Sequence, residues 1–411
     1  MNDQTAGDKL LRCLRLEEER HKNTALADFS EADWRSIFDL AKRHDLIPYL
    51  YWRLENLSAF QNIPTEQRTE MRTLLMTSAQ RNTRLLHRLG KVITALGQAG
   101  IPVITLKGAH LAEWVYADPA LRPMGDIDLL VRLDDLLPAI QVLTELGYHS
   151  SRRYQIAKER QSHHHLPPYS HPQAASIEIH WSTVMPGLPL RVDIQGLWDR
   201  SAPSETGGSP CRALSPDDLL IHLCTHLCQH EFSLGLKALL DIGLVLWHYR
   251  EDLNWDQITQ TAGQWQAAKC IYLSLYLAGQ MLAAPLPPEA LQALCPLDFS
   301  PEIANLAQQR LTGFAIPAPI HPDLARAWSK QRSLSSRLRS LSANLLPPPE
   351  YIAGRYALPP GSLRVYPYYL VRLKDLFVQY SGQLWRLLRR DQNTMTQTGR
   401  QNALVDWLLA P

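Results

Sequence analysis

Several things this sequence has little of narrow the field at once. Cysteine is sparse, with six residues at positions 13, 211, 224, 228, 270 and 295 in a chain of 411. So thin a supply excludes a disulfide framework and agrees with a reducing compartment, and all six are read as thiols. Neither sign of charge dominates, since 42 Lys and Arg stand against 40 Asp and Glu for a formal net charge of +2. A balance that even excludes whole-protein attraction to nucleic acid, so any basic patch is local and a nucleic-acid partner is not expected. Long apolar runs are missing as well. Even Ile271 to Leu286 is interrupted by Ser274, Gly279 and Gln280, and a spanning helix needs roughly 18 unbroken apolar residues. The opening residues, Met1 to Leu10, are polar and mixed in charge. They fit neither a secretory signal nor a transit peptide, which makes the cytoplasm the expected compartment. No internal repeat is visible.

What remains is a globular composition, 45% hydrophobic, at a length beyond what one core usually holds, so two or three domains are expected. Residues 1–95 carry apolar side chains at helical spacing, as in Trp34, Ile37, Phe38, Leu40 and Ala41, and are read as a helical region. Ser30 is the expected cap of one helix, and Gly97-Gln-Ala-Gly100 ends the last. Strands begin after Gly100. The pattern predicts strand 101–106, helix 108–117, strand 126–131, helix 134–146, and extended segments near 148–157, 162–168 and 175–182, an α/β unit with an antiparallel extension over residues 96–205. Ser201-Ala-Pro-Ser-Glu-Thr-Gly-Gly-Ser-Pro210 reads as a linker closing it. Helices resume over 206–316, where Ser215 caps a helix with Pro216 in its first turn. Residues 317–411 are proline-rich and end in a basic amphipathic stretch from Tyr368 to Arg390.

The chemistry concentrates in Leu121-Arg-Pro-Met-Gly-Asp-Ile-Asp-Leu-Leu-Val131. Side chains alternate across a strand, so Asp126 and Asp128 share one face while Ile127 turns to the core. Two carboxylates on one face attract a hard divalent cation. Strand 101–106 runs straight into Lys107-Gly108-Ala109, a strand-to-helix turn at which phosphate can sit. Ser176-Ile-Glu-Ile-His-Trp181 alternates in the same way and places Glu178 and His180 together. If that strand lies beside 126–131, Glu178 supplies the third acid that two-metal phosphoryl or nucleotidyl transfer needs. Lys107 and Arg122 are the nearest phosphate cations, although Arg122 can instead pair with Asp118 or Asp126.

These residues resemble a known family. Leu106-Lys-Gly-Ala-His110, Tyr116, Asp118, Arg122 through Val131, Gly147-Tyr148 and Ile177-Glu-Ile-His-Trp181 are similar to the bacterial nucleotidyltransferase-like proteins of the DNA polymerase beta superfamily. His222-Leu-Cys-Thr-His-Leu-Cys-Gln-His230 and Leu240-Asp241 are similar to the helical segment that follows the core in the same family. The resemblance implies an α/β (α+β) nucleotidyltransferase core with a mixed sheet, flanked by helical N-terminal and C-terminal domains. It places Gly108 at the first glycine of the nucleotide turn and Ala109 where a second Gly or Ser is usual. Asp126, Asp128 and Glu178 become the catalytic and metal-binding acids, holding two Mg²⁺ ions. The implied activity moves a nucleoside monophosphate from an NTP, with ATP as the leading candidate, to an acceptor that is a small molecule, a peptide or a saccharide. Natural-product and polysaccharide biosynthesis are the settings it suggests.

Other readings stay open. His222, His226 and His230 recur every four residues on one helix face, with Cys224 and Cys228 on another. They form either a polar wall to the cleft, where His222 and His226 contact nucleotide, or satisfied core histidines, or a zinc site. Of His163, His164 and His165, alternation lets at most two point inward. The basic C-terminal helix either packs on its own protein or makes a peripheral membrane contact. A non-catalytic nucleotide-binding scaffold or sensor is the alternative to an enzyme.

Overall fold

The computed structural model describes residues 3–16, 26, 28–150, 152–172, 174–313, 349, 352, 362–375 and 402–410. By contacts the chain forms two compact units, one of residues 1–304 and 308–314 and the other of 305–307 and 315–410. In the second, Ile352 and Val365 make a small buried core against which Tyr368 and Tyr369 pack. The basic stretch begins there as helix 365–375; its remainder, 376–390, and the proline-rich run 317–348 lie outside the described residues. No helix among the described residues is long and apolar enough to cross a membrane.

Among the described residues the first unit opens with helices alone, as the periodicity predicted: Asp3–Leu14, Glu31–Arg43, Ile47–Leu54 and Thr65–Gln98. Ser30 forms a reciprocal capping box with Asp33 at the second of these, which satisfies two helix-end donors together. The last is 34 residues long and is the spine on which the sheet rests. Leu85, Leu89, Val92, Ile93 and Leu96 from it share one core with Ile127, Leu129, Ile177 and Ile179. Its chain ends at Gly100, whose φ of +74° suits a residue without a Cβ.

Among the described residues seven strands then form a mixed sheet in the order β3-β4-β5-β2-β1-β7-β6. They are β1 Ile104–Thr105, β2 Asp126–Leu130, β3 His149–Ser150, β4 Tyr169–His171, β5 Ala174–His180, β6 Ala202–Thr206 and β7 Ser209–Ala213. β2 pairs parallel with β5 and antiparallel with β1. Because Ile127, Leu129, Ile177 and Ile179 face the long helix, the alternate residues of β2 and β5 face the opposite side, where the chemistry collects.

Four local expectations are corrected. Ser201–Pro210 is no linker: it is most of the β6–β7 hairpin, which pairs with β1 at the sheet edge. Its turn residues Gly207 and Gly208 have φ of +59° and +75°, the conformation a two-residue hairpin turn demands. A Cβ on Gly90 would lie 2.1 Å from the Gly207 carbonyl oxygen, so two glycines let the hairpin touch the spine. The extended segment near 148–157 shrinks to β3 and gives way to the helix Ile156–Ser162, whose buried Glu159 takes two bonds from Arg152 at 2.8 and 2.7 Å. Around 162–168 the chain touches the sheet through one bridge, His165 to His180. Strand 101–106 is shorter than expected, since Pro102 has no N–H to give to a ladder.

Beyond the hairpin come Pro216–Gln229, Leu236–His248, Trp255–Gln264, Ala268–Leu282, Pro288–Leu294 and Pro301–Thr312. Ser215 accepts from the Asp218 amide and Pro216 occupies the first turn of the first of these, as the sequence predicted. Its packing also overturns the reading of all six cysteines as thiols: Cys228 and Cys270 are joined in a disulfide, with Cα atoms 5.5 Å apart. Composition counts cysteines, but only helix packing brings two of them within bonding distance.

Candidate active site

The β2–β5 register sets Asp128 level with Glu178 and Leu130 level with His180. Asp128 is 6% exposed and His180 only 1%, while Glu178 is half-buried and Asp126, at the strand start, is exposed. One ligand atom each from Asp128, Glu178 and His180 lie within 4.8 Å of one another. No other group of three or more potential metal ligands meets that closeness among the described residues, so the histidine helix assembles no zinc site there. Asp126 shares their face, one pleat away, outside that triplet. Partial loss of solvent, then the like charges of Asp128 and Glu178, raise its pKa.

The antiparallel β1–β2 pairing carries the chain from Thr105, opposite Leu129, to Lys107 at the Asp128 end. Lys107 Nζ lies 3.1 Å from Asp128 Oδ1, and the same oxygen meets His180 Nε2 at 2.8 Å. Burial pushes the Asp128 carboxyl up, but the Lys107 charge and the His180 hydrogen bond outweigh it and hold its pKa well below the usual range. Glu178 is lowered first by His180, against burial, and then by His165. Lys107 has φ of +41°, a left-handed conformation for a residue with a Cβ, and such strain persists where its surroundings over-determine it.

Those surroundings are visible. A Cβ on Gly108 would lie 2.8 Å from Arg122 Nη1, so the guanidinium packs directly on the turn. Arg122, 9% exposed, donates from Nε and Nη2 to Asp241 at 2.9 and 2.7 Å, pairing with neither Asp118 nor Asp126. Burial disfavours its charge, but Asp241 outweighs it and raises the pKa. Tyr116 donates to the same carboxylate at 2.7 Å. Ala109 buries its methyl at 1% exposure. From the long helix, Asn82 donates to the Pro119 and Arg122 carbonyls and Ser78 to that of Ala120, which fixes the loop leading into β2.

Imidazoles wall the site. His180 lies with its ring centroid 5.2 Å from that of His164 and 4.9 Å from that of His165. His165 Nδ1 is 3.7 Å from Glu178, whereas His163 turns away to Glu159 at 3.2 Å. The two that point inward are the adjacent His164 and His165, a pair that strand alternation would separate, because this segment is irregular apart from one bridge at His165. On the helix Pro216–Gln229, burial foremost, then the Lys107 charge, lowers His222 to about 3. The same two causes push His226 well below its ordinary value. His164 is lowered to about 2 by burial and then by His180. The Lys107 charge reaches His222, His226 and His230, so this face of the helix looks onto the site. Asp241 was missed as a partner because it lies 119 residues from Arg122, and no local pattern marks such a pair. His164 and His165 were visible only as members of a triplet.

A pair of carboxylates with an imidazole, one carboxylate oxygen already neutralised by a lysine, is a donor set that fits a divalent cation. A family model described as an uncharacterised nucleotidyltransferase matches residues 30–283. No curated protein and no solved structure matches the chain.

Proposed function

The chain belongs to this family of uncharacterised nucleotidyltransferases, and on that premise we propose that it transfers a nucleoside monophosphate from an NTP, ATP first among the candidates, to an acceptor hydroxyl. The observation that carries this reading is the register of β2 against β5, which sets Asp128 beside Glu178 with Asp126 on the same face.

Asp128 stays ionised across the physiological range and is the anchor for a cation, with Glu178 beside it and Asp126 at the open end. Mg²⁺ is the expected ion, and its chemistry there is to neutralise the triphosphate and make the acceptor oxygen more nucleophilic. Lys107 moves its ammonium from Asp128 to the phosphates when nucleotide arrives. The backbone amides of Gly108 and Ala109, in the first turn of the helix Lys107–Trp114, point where a phosphate oxygen gains from a helix N-terminus. Glu178 accepts the acceptor's proton as that oxygen bonds to the α-phosphorus and the bond to the departing pyrophosphate breaks. His222 and His226, kept neutral by burial, are donors and acceptors for the nucleotide, and His180 is turned to Asp128. Arg122, spent on Asp241, acts through the backbone: it braces the Lys107–Gly108 turn and leaves phosphate contact to Lys107.

The test is a titration of the purified chain with ATP, GTP, CTP and UTP, in Mg²⁺ and in EDTA, beside Asp126→Asn and Asp128→Asn. Metal-dependent binding that both substitutions abolish is the expected result. Binding indifferent to EDTA and to both substitutions would remove the acids from the site and favour a scaffold.

A further inference from the structure

The three closest ligand atoms are two oxygens and a nitrogen. His180 Nε2 is 2.8 Å from Asp128 Oδ1 and 3.7 Å from Glu178 Oε2. Neighbouring ligands of a six-coordinate ion with bonds of about 2.1 Å stand about 3 Å apart, so this spacing brackets what one ion needs. We propose that His180 is a metal ligand and that the Asp128–Glu178–His180 seat takes a transition-metal divalent ion, of which Mn²⁺ is the representative, in preference to Mg²⁺. The proposal rests on the metal-binding part of the function proposed above and changes its ion and its ligand set.

The physical grounds are the donor set and its rigidity. Mg²⁺ favours oxygen and gives up its water reluctantly. Imidazole nitrogen favours first-row transition ions, and carboxylate with imidazole on one side of an ion leaves the other side open. His180 is held without freedom to withdraw: it is 1% exposed, and its carbonyl accepts from Val131 at 2.9 Å. Its second nitrogen, Nδ1, is buried and has no partner among the described residues. A carboxylate oxygen can only accept, so the Nε2 facing Asp128 carries the hydrogen in the metal-free protein; an ion on Nε2 takes that place and leaves Nδ1 to carry the ring N–H. The Lys107 ammonium, 3.1 Å from the same Oδ1, competes with the ion and leaves with its charge intact, free to meet phosphate.

Mn²⁺ binding to the full chain, without nucleotide, is read by electron paramagnetic resonance with Mg²⁺ as competitor, on the wild type, His180→Gln, Asp128→Asn and Lys107→Met. Expected are one bound Mn²⁺, displaced only by Mg²⁺ in about 100-fold excess, a loss of about 10- to 100-fold in Mn²⁺ affinity in His180→Gln, loss of the site in Asp128→Asn, and tighter binding in Lys107→Met. Should His180→Gln fail to fold, nitrogen-14 modulation of the bound Mn²⁺ signal in the wild type reports imidazole ligation directly. Equal affinity for Mg²⁺ and Mn²⁺, unchanged Mn²⁺ binding in His180→Gln, or no nitrogen modulation would each overturn the proposal. The parent reading fails separately: Mn²⁺ seated with imidazole but no NTP bound ends nucleotidyl transfer and keeps the seat. Mg²⁺-dependent NTP binding undisturbed by His180→Gln does the reverse.

Discussion

Asp128 concentrates the site's electrostatics, because one buried carboxylate oxygen serves both Lys107 and His180. Its folded pKa is depressed, so its stabilising contribution is present above the ordinary aspartate value and is lost as the pH falls through the folded one. Chemical denaturation at a series of pH values should find the stability gap between wild type and Asp128→Asn closing below about pH 4. His222 works in the same direction over a different window. Its pKa falls from the ordinary 6.5 to about 3, so the folded state refuses a proton that the unfolded chain accepts, and stability is full above 6.5 and declines toward 3. Relative to His222→Asn, the wild type should lose about 1 kcal/mol for each pH unit below 6.5. A gap that stays flat from pH 7 to 4 would mean the ring is not held neutral.

At the scale of elements, the strand-to-helix turn that carries Lys107 is braced from the helical layer. Asp241 on Leu236–His248 holds Arg122 by two bonds and Tyr116 by a third, and Arg122 packs on Gly108. Asp241→Ala would strand a buried guanidinium, and thermal unfolding should register a loss of about 3–5 kcal/mol. Tyr116→Phe removes one hydrogen bond and should cost nearer 1 kcal/mol. The long helix and the hairpin make a second joint, where Gly90 meets Gly207 without room for a methyl group. Gly90→Ala should therefore lower the melting temperature, although alanine is the better helix former.

Over the whole first unit, the disulfide between Cys228 and Cys270 closes a loop of sequence separation 42 and ties the histidine helix to Ala268–Leu282. Cys270→Ser should remove about 2–4 kcal/mol from unfolding in oxidising buffer and nothing under a reductant. Equal stability of the two proteins in both buffers would show that the bond contributes nothing. The sheet carries the long helix on one face and the acids on the other, while His164, His165 and Arg122 come to the site from the segments between its elements.

From the sequence alone the reader could place Asp126, Asp128, Glu178 and His180 on shared strand faces, the Ser30 and Ser215 caps, and the helix-first order of the chain. Those follow from period and local chemistry, which act over a few residues. The same local reasoning took Ser201–Pro210 for a linker, because the small residues of a tight hairpin and of a loose connection look alike until a strand is found to pair with. Only the tertiary structure decided that Arg122 belongs to Asp241 and Cys228 to Cys270, and that His180 joins Asp128 and Glu178 while Asp126 stands apart. Those outcomes depend on pairing register and helix packing, which bring together residues tens to more than a hundred positions apart, a distance over which no local pattern carries information.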